Sequence, residues 1–140
     1  MDSVILIADQ AFTIQELFVK LRRQWPKTYT NSLGSVVIED GENHLFVSVE
    51  PHGLEEYDPE QLDNIRKLMP SPRFFTIDYT DCEFVKRVLL AIADDSRLVV
   101  DNDAWTVLPG PAFVRRLREE PLWDWFDEFR RNKDKENESG

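Results

Sequence analysis

"RLVVDNDAWTVLPG", residues 97–110, decides how this chain is read. An apolar, β-branched run meets Asp101, Asn102 and Asp103, and a second apolar run follows. Two readings compete. The carboxylates are a site for a metal or for acid–base chemistry, or the polar trio is the turn of a hairpin. Asp and Asn tolerate left-handed backbone and bond their own amides, which suits a turn. A metal would need further oxygen ligands converging there. A calcium loop counted from Asp101 would need Gly and Glu where Thr106 and Ala112 stand. Acid–base work needs two carboxyls with separated pKa values, and no neighbour in the stretch would separate Asp101 from Asp103. The hairpin is therefore the preferred reading.

The same order of signals occurs in the first half of the chain. "SVILIA" (3–8) is short, apolar and β-branched, and predicts a strand. In "FTIQELFVKLRRQWP" (12–26), Thr13 and Glu16 form a T-x-x-E capping pair. Leu17, Phe18, Leu21 and Trp25 follow at helical spacing until Pro26. "KTYTNSLG" (27–34) reads as a loop. "SVVIEDGENHLFVSVEP" (35–51) reads as two strands around the Asp40-Gly41 turn. An acidic connector, "HGLEEYDPEQ" (52–61), leads to a helix capped by Asp58 and opened by Pro59. Leu62, Ile65, Leu68 and Met69 are its apolar stripe.

Beyond the breaker "MPSP" (69–72), "RFFTIDY" (73–79) predicts another strand. Thr80 and Glu83 repeat the T-x-x-E pair, and Phe84, Val85, Val88, Leu89 and Ile92 give the next helix its buried face. The hairpin of 97–110 follows, then "PAFVRRLREE" as a Pro-initiated helix that Pro121 ends. Strand, helix, strand, strand, helix thus occurs in 1–69 and again in 72–120, with "VVIED" (36–40) corresponding to "VVDND" (99–103). The fold class is α+β, in one domain over 1–131. Two strand-helix-strand-strand-helix units form a mixed or antiparallel sheet of about six strands with helices packed on it. "LWDWFDEFRR" (122–131) predicts a last helical turn or two, with Leu122, Phe126 and Phe129 on its buried face. "NKDKENESG" (132–140) is charged and wholly polar, and predicts a flexible tail.

The totals limit function. The chain has 140 residues, 41% hydrophobic, enough for a core. Its net charge of −10 opposes nucleic-acid binding, which needs clustered Lys and Arg, and favours solubility or encounter with a basic partner. The single cysteine, Cys82, forms no intrachain disulfide and suits a reducing compartment. "MDSVILIADQ" is too short in its apolar run for a signal peptide, and no stretch reaches a membrane span. The expectation is a cytoplasmic, soluble protein without membrane attachment.

Catalytic signals are weak. Cys82 stands in a helix first turn, where the dipole favours a thiolate, but Asp81 and Glu83 oppose it. The only histidines, His44 and His52, are distant in sequence, and too few for a structural zinc site with one cysteine. No phosphate-binding glycine loop, nucleophile elbow or zinc-protease motif occurs. No catalytic residue, cofactor or metal is therefore expected. The basic island "KLRRQWPK" (20–27) suits a helix C-terminus better than an anion site. Two stretches offer partner contacts. In "GLEEYDPE" (53–60), Glu55, Glu56 and Asp58 surround Tyr57, an aromatic anchor with a negative rim, or else a solvated cap. In "PLWDWFDEFRR" (121–131), Trp123 and Trp125 either plug the core or form an interface hot spot.

Size, charge, the close "VVDNDAWTVLPGPAFVRRL" and the Trp-rich "LWDWF" end together resemble immunity proteins of bacterial polymorphic-toxin and contact-dependent-inhibition systems. The likeness spans most of the chain, rests on no single motif and reaches no one named immunity family. It implies a non-enzymatic protein that binds one cognate toxin domain, in many systems a nuclease with a basic cleft, and blocks it. On that expectation Glu55, Glu56, Asp58, Asp101, Asp103 and the Glu39–Glu42 turn supply negative field. Tyr57, Trp123 or Trp125 supplies the apolar anchor, and the chain acts as a monomer or homodimer. Two alternatives stay open: an acidic cytoplasmic chaperone for a secreted protein, and an enzyme using Asp101 and Asp103.

Overall fold

A computed structural model of the chain describes residues 1–51, 55, 57–104 and 106–139. The described residues form seven strands and five helices. They are β1 (Asp2–Ala8), α1 (Ile14–Gln24), β2 (Tyr29–Thr30), β3 (Val36–Asp40), β4 (Asn43–Val49) and α2 (Pro59–Leu68). Then come β5 (Arg73–Tyr79), α3 (Cys82–Ile92), β6 (Leu98–Asp101), β7 (Val107–Pro109), α4 (Gly110–Glu119) and α5 (Trp125–Ser139). The fold is α+β, with one sheet in the order β2-β3-β4-β5-β1-β6-β7. Of the two expected sheets it is the antiparallel one, since every pairing is antiparallel.

Local chemistry sets most element boundaries. The Thr13 hydroxyl accepts the Glu16 amide at the start of α1. Asp58 and Gln61 make a reciprocal capping box on α2, with Pro59 in its first turn. The β3–β4 hairpin turns through Gly41 at φ 63°, with Asp40 opposite Asn43. Two readings are corrected. Asp81, not Thr80, caps α3, accepting the Phe84 amide at 2.9 Å. A carboxylate is the better cap and also meets the helix dipole. The 27–34 loop contains β2, which pairs Tyr29 with Val37 and Thr30 with Val36, so the sheet has a seventh strand. Its turn is closed by Asn31 Oδ1, which accepts the amides of Leu33 and Ser35. The charged segment after Arg131 is helical as far as Ser139, and Arg131 pairs one turn back with Asp127.

Element order repeats, but strand placement does not. In the first half the second hairpin strand, β4, pairs with β5. In the second half the first hairpin strand, β6, pairs with β1. β5 and β6 therefore run parallel to each other on either side of β1, joined through α3. A rotation that swaps β1 and β5 puts β4 on β6 and β3 on β7, so the hairpins exchange in place but with their chain order reversed.

One sheet face lies under α1, α3, α4 and α5. Its core joins Val4, Leu6, Phe75, Ile77 and Leu45 of the sheet to Leu17, Leu21, Phe84, Val88, Phe113 and Leu117 of the helices. Gly110 opens α4 hard against α3. A Cβ there would stand 2.1 Å from the Ala93 carbonyl oxygen. α2 packs on the opposite face, where Phe129 of α5 also reaches its border. No helix among the described residues is long and apolar enough to cross a membrane.

Candidate functional site

The face under α2 is built by strand alternation. Val99 and Asp101 of β6 point the same way as Ile5 and Ile7 of β1 and Phe74 and Thr76 of β5. Ile5, Ile7, Phe74 and Val99 join Ile65 and Met69 of α2 in a second, smaller core. Tyr57 enters this packing just before the α2 cap, its ring centroid 5.8 Å from that of Phe74. The Tyr57 hydroxyl then donates to Asp101 Oδ2 at 2.8 Å.

Asp101 is only 8% exposed. Burial pushes its carboxyl above the usual range, while the Asp103 amide and the Tyr57 hydroxyl pull it back. The Asp103 amide donates to Asp101 Oδ1 at 2.8 Å. Asn102 Oδ1 accepts the amides of Ala104 and Thr106, and the Asn102 amide donates to the Thr106 carbonyl. Asp103 takes φ 55°, the one positive φ at a non-glycine position among the described residues. Asp101, Asn102 and Asp103 thus form a hairpin turn tied by its own side chains. Asn102 Nδ2 is buried there without a hydrogen-bond partner.

Between α2 and the β6–β7 hairpin lies a groove of about 570 Å³, lined by Ile5, Tyr57, Gln61, Asn64, Ile65, Leu68, Asp101, Asp103, Val107 and Phe129. Leu68 and Val107 are 50% and 43% exposed on its walls. A smaller depression of about 390 Å³ adjoins it, sharing Ile5 and Asp103 and adding Ser3, Ser48, Glu50, Thr76 and Asp78. There Ser3 Oγ donates to Asp78 Oδ1 at 2.6 Å. The described residues lining the two depressions include no Lys or Arg. Together they form an acidic trough along the sheet face that the four helices leave open. Such a surface attracts cations and accepts hydrogen bonds.

Of the sequence-derived partner residues, the fold unites Tyr57, Asp101 and Asp103. Glu55 is exposed in the connector, Asp58 is exposed at the α2 cap, and Glu56 lies outside the described residues. Asp101 is corrected from a displayed charge to a buried one, because β6 alternation turns it under Tyr57. Trp123 and Trp125 are core residues, 6% and 0% exposed. Trp125 packs on Tyr79, Phe113 and Trp123, while Trp123 lies under Arg116 and donates to Glu128 at 2.9 Å. Leu122 is 94% exposed, since α5 begins only at Trp125 and leaves it off the helix. The Glu39–Glu42 turn lines neither depression. Asp40 there pairs with Arg87 at 3.1 Å, and Glu39 accepts the Tyr29 hydroxyl.

Other chemistry-bearing groups lie elsewhere. Burial pushes the Cys82 thiol up to about 11 despite the Lys86 charge nearby, so it holds its proton. His44 is exposed beside Glu39, and His52 lies outside the described residues. Among the described residues, no three His, Cys, Asp or Glu side chains converge to hold a metal. In the basic island Lys20 pairs with Asp95 at 3.1 Å, and Arg22 lies over Phe18.

Gln61, Asn64, Leu68, Val107 and Phe129 of the groove are absent from the sequence-derived set. A signal for three of them exists, because Gln61, Asn64, Ile65 and Leu68 fall on one helical stripe. That this stripe borders Asp101 depends on where α2 docks. No protein-family model, curated protein or solved structure matches the chain.

Proposed function

We propose that this chain is a non-enzymatic binding protein of the immunity type. It captures a basic protein partner, a cognate toxin domain, and occludes it. The observation that carries this reading is the trough whose described lining includes carboxylates and hydroxyls but no Lys or Arg. A net charge of −10 adds a long-range field of the same sign. Complementary potential speeds encounter and disfavours wrong partners. The single cysteine suits action in the cytoplasm.

Co-expression with the product of the adjacent gene tests this. The expected result is that the product is toxic alone, harmless with the chain, and recovered in complex with it. Charge reversal by Asp103→Lys with Glu50→Lys is expected to slow capture about tenfold at low salt, with little effect at high salt. A toxic product that the chain neither binds nor neutralises overturns the reading. So does capture that is independent of both salt and these reversals.

A further inference from the structure

The groove between α2 and the β6–β7 hairpin differs from the rest of the trough. Its volume of about 570 Å³ is framed by aliphatic side chains as well as carboxylates. Leu68 and Val107 stand half exposed on opposite walls, one from α2 and one from β7. Large apolar side chains exposed on facing walls of a cleft cover an apolar surface that enters it. At the groove's polar end lie Asp101 and Asp103, with the Asn64 amide on the α2 wall. The Tyr57 hydroxyl and the Asp103 amide fix the position of the Asp101 carboxylate from two sides.

We infer that this groove is the socket for an arginine side chain of the basic partner, an inference that rests on the proposed function. The arginine methylenes lie between Leu68 and Val107, and the guanidinium meets the Asp101 and Asp103 carboxylates. Arginine fits better than lysine for two reasons. A long side chain with a charged head buries its stem on apolar walls and keeps its head polar. The planar fork offers five donors to several acceptors, here two carboxylates and the Asn64 amide oxygen, whereas an ammonium is a compact, strongly hydrated charge.

The test is a titration of the full ¹⁵N-labelled chain by NMR with the peptide acetyl-(Gly-Arg)₃-amide at low salt. Peptides with lysine or citrulline in place of arginine are the comparisons. Saturable shifts centred on Tyr57, Asn64, Leu68, Asp103 and Val107 are expected with arginine, at least fivefold weaker binding with lysine, and none with citrulline. Leu68→Ser with Val107→Ser leaves net charge unchanged and is expected to weaken arginine binding about tenfold, since side-chain burial on these walls is lost. Asp103→Asn, which the turn tolerates, is a second variant with the same expected direction. Absent saturation, shifts scattered over other acidic surfaces, equal arginine and lysine affinity, or insensitivity to both variants each overturn the inference. A partner bound at full affinity by the Leu68→Ser, Val107→Ser chain removes the groove and keeps the proposed function. Arginine seated in the groove with no toxin neutralised does the reverse.

Discussion

Tyr57 Oη and Asp101 Oδ2 are 2.8 Å apart although 44 positions separate them in the chain. This bond ties the segment before α2 to the end of β6, and both residues line the groove. Tyr57→Phe keeps the ring on Phe74 and removes only the donor. The expected loss is about 1.5–3 kcal/mol in urea denaturation, the scale of a hydrogen bond to a charged acceptor. Because that bond pulls the Asp101 carboxyl down, its removal also raises the Asp101 pKa in a ¹³C-detected titration. An unchanged Asp101 titration would show that the bond does not form in solution.

Asn102 accepts two amides from inside the turn, those of Ala104 and Thr106. Asn102→Ala leaves both without an acceptor in a buried place. A loss of about 2–6 kcal/mol is expected, from roughly 1–3 kcal/mol for each unsatisfied group. Asp103→Gly relieves a positive φ and is expected to be neutral or slightly stabilising. Thermal melts of the two variants side by side measure the contrast.

Trp125 is fully buried against Tyr79, Phe113 and Trp123. Trp125→Ala is expected to cost about 3–5 kcal/mol of stability, the range for deleting a buried large aromatic. A Trp125→Phe chain that folds is expected to keep wild-type partner affinity. Loss of affinity in a folded Trp125→Phe chain would return this indole to the interface.

Acid is expected to destabilise the chain through two carboxylates. Hydrogen bonds from Arg97 hold Asp95 well below the usual range against a burial effect of opposite sign, with Lys20 assisting. Burial also pushes Glu128 up, but the bond and charge of Arg116, with help from Thr106 and Trp123, outweigh it and lower the group. A folded pKa below the unfolded one adds stability at neutral pH that is lost as pH falls below about 4 toward the folded value. Asp101 works the other way. Its raised pKa penalises the fold when ionised, and protonation relieves the penalty. Denaturant midpoints from pH 7 down to pH 2 are expected to fall in the wild type. Asp95→Asn with Glu128→Gln flattens that slope, and Asp101→Asn steepens it.

The local elements were largely legible. The Thr13 and Asp58 caps, the Gly41 turn and the 101–106 turn follow from chemistry within a few residues. The second cap was misplaced by one residue because Thr80 and Asp81 are both competent and only the folded backbone selects between them. β2 was missed because two residues carry no periodicity. For the site, Tyr57, Asp101 and Asp103 each stood out as residues, but in separate hypotheses. The Trp pair stood between core and interface for a related reason. An indole is large and apolar with one polar atom, and either environment satisfies it.

The sequence by itself determined the caps, turns and alternating faces, and with them the α+β class. It also determined the negative charge. The tertiary structure decided the strand order, the burial of Trp125, and the meeting of Tyr57 with Asp101 across the face that α2 half covers. The physical reason is range. A cap or a turn is satisfied by groups a few bonds away, so its residues declare it. The pairing of β6 with β1, and the docking of α2 beside it, minimise exposed apolar area over the whole chain, and no short stretch contains that sum.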